Sequence, residues 1–166
     1  IGLIAAVPVT TLLATTMKTQ THYVGDQKGE EIINYTDAYR LGTTDIDART
    51  TYYYYASSTD QFAAASADLT GSYLTRTVTR RDPAGADTLK QVSFYKGLVD
   101  SDYAEKGEEL VDWSEEYSYN GTKRKTTTVY SYGDSNTADW LDTVTVYKDE
   151  ADVTTGTGGN GTSAHL

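Results

Sequence analysis

The chain predicts an all-β fold of tandem antiparallel β-hairpins, packed as a sandwich or as a stacked-repeat subunit, with an extended apolar segment at its N-terminus. Three observations predict it. The run Arg49-Thr50-Thr51-Tyr52-Tyr53-Tyr54-Tyr55 is echoed by Lys125-Thr126-Thr127-Thr128-Val129-Tyr130-Ser131-Tyr132, and each copy is followed by a polar loop and a second extended segment, Leu74–Asp82 and Leu141–Asp149. A strand-loop-strand unit is thus repeated, and a unit that cannot bury its own face alone stacks on a neighbour. Thr occurs 28 times and Tyr 15 times in 166 residues, which is the composition of pleated, half-buried surfaces. Turn clusters separate the extended segments, most clearly Asn120-Gly121, whose residues both tolerate positive φ.

Three segments follow from composition. Residues 1–17 are an apolar N-terminal segment, 18–155 a β-hairpin repeat domain, and 156–166 a flexible Gly/Thr tail. Within the first, Pro8 and the Thr pairs after it make a poor helix, so an extended strand is expected. Its apolar residues Ile1, Leu3, Ile4, Val7, Val9, Leu12 and Leu13 are the candidate assembly residues, pairing with a sheet edge of another subunit. In the repeat domain Thr19–Val24 alternates, turns at Gly25-Asp26-Gln27-Lys28-Gly29, and returns as Glu31–Thr36. An Asp-rich link, Asp45-Ile46-Asp47, leads into the Tyr run. After that run, Asp60–Leu69 reads as one or two helical turns. Asp82-Pro83-Ala84-Gly85-Ala86-Asp87 is a turn, and strands follow at Leu89–Tyr95 and Asp112–Tyr119. Alternation sorts Thr126, Thr128, Tyr130 and Tyr132 from Thr127, Val129 and Ser131, giving each hairpin a Tyr/Thr face and a face of smaller apolar residues. Tyr52, Tyr53, Tyr54, Tyr55, Tyr130, Tyr132 and Tyr147 are candidate aromatic packing positions between units.

Charge and composition exclude several functions. A net charge of -10 opposes nucleic-acid binding, which needs a concentrated positive field. There is no Cys, hence no disulfide framework, thiolate zinc site or Cys nucleophile. No apolar stretch reaches the 18 residues of a transmembrane helix. Paired carboxylates at Asp45/Asp47, Asp100/Asp102, Glu108/Glu109 and Glu115/Glu116 offer weak Ca²⁺ binding at most, since no twelve-residue calcium loop occurs, and no cofactor is expected. His22 and His165 are too few for a His-based metal site, and no nucleophile elbow is present. Trp113, Trp140 and exposed Tyr are the residues that would stack on a sugar. Asn34, Asn120 and Asn160 begin Asn-X-Thr triplets and are candidate glycan acceptors.

Motifs such as Thr50-Thr51-Tyr52-Tyr53-Tyr54-Tyr55 and Thr128-Val129-Tyr130-Ser131-Tyr132-Gly133-Asp134 resemble the Tyr-Asp (YD, or RHS-type) repeats of large bacterial surface proteins, with Tyr39-Arg40-Leu41 as a partial counterpart of their Gly-Arg-Leu return. The resemblance spans roughly residues 18–155 and implies an extracellular repetitive β-structure acting as wall, shell or fibre. Ile1–Pro8 is similar to the interior of the hydrophobic N-terminal helix of type IV pilins, which carry Glu at the fifth mature position where this chain has Ala5. Together these readings lead to a non-enzymatic structural subunit of an extracellular filament or surface layer. Its expected partners are copies of itself and, in second place, glycans. The alternatives are a pilin-like filament subunit or a monomeric carbohydrate-binding or adhesin module.

Overall fold

The computed structural model describes residues 17–25, 28–56, 59–63, 72–96, 107, 109–133 and 140–148. They form nine strands: β1 Thr19–Val24, β2 Ile32–Tyr39, β3 Ile46–Ala56, β4 Thr59–Ala63, β5 Leu74–Arg81, β6 Thr88–Tyr95, β7 Val111–Tyr117, β8 Arg124–Tyr132 and β9 Leu141–Lys148. All pairings are antiparallel, and the sheet runs β1-β2-β3-β5-β6-β7-β8-β9, with β4 paired to β3 alone. The fold is therefore all-β and built of tandem hairpins. Both copies of the repeated unit form as expected: Ala48–Tyr54 pairs with Leu74–Arg81, and Thr126–Tyr132 with Leu141–Lys148.

Substantial contacts between elements are confined to hydrogen-bonded neighbours, so the described strands make one layer and not the two layers of a sandwich. Few side chains are buried in such a sheet. Among the described residues the buried apolar set is Ile32, Ala48, Tyr54, Tyr73, Val92, Trp113 and Tyr117, and none is completely enclosed. Ile32 and Tyr54 form a buried cluster, with Val24, Tyr52 and Leu74 packed against them. The Tyr54 hydroxyl donates to the Ile33 carbonyl at 3.0 Å, so the ring buries its area without orphaning its polar end.

Three local expectations are corrected. Asp60–Ala63 belongs to strand β4, not to a helical turn, because it pairs with Tyr54–Ala56 where β2 no longer covers β3. The Asp-rich link is shorter than expected, since β3 already begins at Ile46. The two faces of the last hairpin are mixed: the register sets Thr128 opposite Val146 and Tyr130 opposite Val144, so the Tyr/Thr face of β8 carries the valines of β9.

Turns close the hairpins by specific means. Asp82 and Asp87 adopt φ near +45°, and Asp82 accepts bonds from Gly85, Ala86 and Asp87, locking the β5–β6 turn. The β7–β8 turn spans four residues, Tyr119–Thr122, because Ser118 N–H closes on the Lys123 carbonyl. Of its Asn-Gly pair only Gly121 takes a positive φ, at 71°, while the Asn120 side chain accepts from Ser118 and Thr122. A Cβ on Gly121 would lie 2.8 Å from the Leu89 nitrogen. Gly121→Ala should cost about 2 kcal/mol, combining left-handed strain with displacement of β6 backbone, as read from the urea midpoint.

Candidate functional site

Among the described residues, a one-layer sheet offers two faces and two edges on which a function could be carried. Opposed residues in an antiparallel sheet share a face, so the registers define rows of side chains running across the strands. One row reads Tyr53, Arg76, Phe94, Trp113, Val129, Thr145. In it the Arg76 guanidinium lies 4.5 Å from the Tyr53 ring centroid, and Phe94 stacks on Trp113 at 3.8 Å. Burial pulls Arg76 below its ordinary pKa, and the Tyr53 ring opposes that shift. The next row on the same face reads Tyr35, Thr51, Val78, Val92, Glu115, Thr127, Tyr147, with His22 stacked on Tyr35 at 4.3 Å.

Two ion pairs stitch this face. Arg49 grips Asp37 with two bonds, 2.7 and 2.9 Å, while lying over the Tyr35 ring at 4.2 Å. Asp37 is 2% exposed, and its bond with Arg49 raises the arginine pKa. Glu115 is also buried and accepts from both Arg124 and the Tyr117 hydroxyl. The adjacent Glu116 is exposed on the opposite face, so the expected carboxylate pair is split by the pleat. Glu109 is occupied as well, accepting from the Leu74 and Gly107 amides. Asp47 is near Arg40 at 3.8 Å, and Asp100/Asp102 lie outside the described residues. Among the described residues no three acidic or His side chains converge as a metal site would require.

The opposite face is lined by hydroxyls. Its row Tyr52, Thr77, Ser93, Ser114, Thr128, Val146 contains three buried small residues, Thr77, Ser93 and Ser114. Beside it run Thr36, Thr50 and Thr79, the last two bonded through their hydroxyls at 2.9 Å.

The candidate aromatic positions divide between these surfaces. Tyr52 and Tyr54 pack within the chain, Tyr53 faces Arg76, and Tyr55 stacks on Tyr73 at 5.1 Å. Tyr132 donates to the Val111 carbonyl and lies under the Lys96 ammonium, and Tyr130 is half-buried. Tyr147 is exposed on β9. Asn34 is half-buried in β2, and Asn120 lies in an exposed turn. Asn160, His165 and the apolar positions Ile1, Leu3, Ile4, Val7, Val9, Leu12 and Leu13 lie outside the described residues. Trp113 is a packing residue, whereas Trp140 is exposed and rests against Gly133.

Burial leaves a pH signature. The Tyr54 pKa is pushed up to about 12, chiefly by desolvation, and Tyr117 and Tyr95 shift the same way. In the unfolded chain Tyr ionises near 10, so the folded state holds its phenolic protons longer. This contribution is complete below pH 10 and is lost as pH climbs through the folded value. Stability should therefore fall between about pH 10 and 12, and Tyr54→Phe should flatten that fall in urea titrations at stepped pH.

The two edges are unlike. β1 has six residues, none of them charged, and its pairing slips at His22/Tyr23. β9 has eight residues, all exposed, and pairs with β8 without a slip from Asp142-side Thr143 to Lys148. Trp140, Leu141, Val144, Val146 and Tyr147, all exposed, are gathered at that edge. The Val144/Val146 alternation is the sequence signal of this exposed edge, whereas the assembly residues expected from the sequence lie in the N-terminal segment, outside the described residues. No family model matches the chain, and neither a curated protein nor a solved structure matches it.

Proposed function

We propose that this chain is a structural subunit of an extracellular filament or surface layer, assembling with copies of itself through strand edges. The observation that carries the reading is the single-layer sheet, with open edges at β1 and β9 among the described residues and apolar side chains exposed along β9. An unpaired edge offers a row of free N–H and C=O groups, and a long apolar one is a template for pairing. A one-layer sheet also keeps both faces partly wet, so extension or stacking supplies the burial that the core lacks. The extracellular setting is supported by the resemblance of the Tyr/Thr hairpins to repeats of bacterial surface proteins. No helix in the described residues is long and apolar enough to cross a membrane, and Ile1–Pro8, the segment similar to a pilin helix, lies outside them. Glycan binding is the second reading, favoured by exposed Trp140.

Negative-stain microscopy of concentrated material tests the proposal. Elongated or sheet-like assemblies are the expected result. Compact particles that stay monomeric on concentration would refute it.

A further inference from the structure

We infer that β9 is a self-complementary edge which pairs antiparallel with β9 of a second copy about a two-fold axis at Thr145. The inference rests on the edge-assembly reading above and names its joint. The strand reads Leu141-Asp142-Thr143-Val144-Thr145-Val146-Tyr147-Lys148. Centred on Thr145, an antiparallel match sets Asp142 opposite Lys148, Thr143 opposite Tyr147, and Val144 opposite Val146, each pair occurring twice. Every opposed pair then falls on one face, as the pleat requires. Opposite charges meet at both ends, apolar residues meet inside them, and shifting the register by two residues separates the charges.

The existing sheet supports that centre. β9 keeps a regular register with β8 from Thr143 to Lys148, the slip falling at Asp142, so the outward N–H and C=O groups around Thr145 keep the regular antiparallel alternation. The pairing is isologous, with the axis perpendicular to the sheet, so both copies show the same face on the same side. The row Tyr53, Arg76, Phe94, Trp113, Val129, Thr145 then continues into its own mirror order in the second copy. β1 offers no such match: Thr19–Val24 has no charge to oppose Asp142 or Lys148, and the slip at His22/Tyr23 interrupts it. The β9 joint closes a pair, and growth into a filament then uses the far end of each sheet.

Single-cysteine cross-linking of the full 166-residue chain tests the joint, since the chain has no Cys of its own. Directly opposed residues have Cα atoms about 4.5–5.5 Å apart, within disulfide reach. Thr145→Cys should oxidise to a covalent dimer on a non-reducing gel. Thr143→Cys and Tyr147→Cys should each fail alone, their symmetry mates being about 14 Å away, but should cross-link when mixed. In sedimentation, Asp142→Lys should weaken dimerisation about tenfold, Lys148→Asp likewise, and the double exchange should restore it. A variant that simply unfolds is recognised by its circular dichroism, and the double exchange then decides. Equal cross-linking at 143, 145 and 147 alone would overturn the register. Polymers that persist without a Thr145→Cys cross-link would overturn the joint while sparing edge assembly. A chain monomeric throughout would overturn both. Cross-linking that appears only after deletion of residues 1–14 would show that the chain's own N-terminal segment occupies this edge, and would also overturn the joint.

Discussion

Arg124→Ala should lower stability by about 3 kcal/mol, the low end for breaking a buried ion pair, because the Arg124 side chain keeps 28% of its surface while Glu115 keeps only 8%. The loss arises on the Glu115 side. With the guanidinium gone, a buried carboxylate retains the Tyr117 hydroxyl but has no opposite charge from Arg124. Replacing both partners, as Glu115→Leu with Arg124→Met, should recover most of that loss, since apolar side chains of similar volume carry no desolvation cost. Urea unfolding of the single and double variants separates the two cases. A single variant as stable as the parent would show that the pair is not part of what holds β7 to β8.

Trp113→Ala should cost about 3 kcal/mol as well, for a different reason. Its ring is buried and stacked on Phe94, in the row that joins β3, β5, β6, β7, β8 and β9. In a single layer the vacated space opens to water, which keeps the cost at the lower end of the range for large-to-small changes. Trp140→Ala should stay within about 0.5 kcal/mol, because Trp140 is 63% exposed. The two tryptophans therefore separate packing from surface in one thermal-melt experiment.

Most strands were legible because hydroxyl, β-branched and aromatic residues alternate with turn clusters between them. Strand β4 was not. Asp60-Gln61-Phe62-Ala63 has alanine and a spacing that suit a helix, and its strand state comes from the edge of β3 that β2 leaves unpaired beyond Thr51, a tertiary cause that local propensity does not contain. The mixed faces of the last hairpin were also hidden. Face assignment within one strand follows from alternation, but which face of β9 joins which face of β8 depends on the register. Each pairing also contains one slip, and seven of the eight fall beside a tyrosine, such as Tyr23, Tyr39, Tyr95, Tyr117 and Tyr132. Such slips twist the sheet and re-aim side chains, and no residue pattern in the sequence announced them. The buried charge of Glu115 was likewise invisible, because Glu115-Glu116 reads as a solvated pair until the pleat assigns one residue to each face.

Tyr52, Tyr53, Tyr54 and Tyr55 are engaged inside the chain, so the aromatic excess of β3 stabilises the subunit. The apolar surface left exposed is at the other end of the sheet, in the second copy of the repeated unit. There Val144, Val146 and Tyr147 face solvent on a strand of full length.

The most direct measurement of edge assembly is amide hydrogen exchange of the full chain at low and high protein concentration. The expected result is that amides of Leu141–Lys148 slow on concentration while those of Thr88–Tyr95, already paired on both sides, do not change. Exchange along β1 and β9 that is independent of concentration would contradict it.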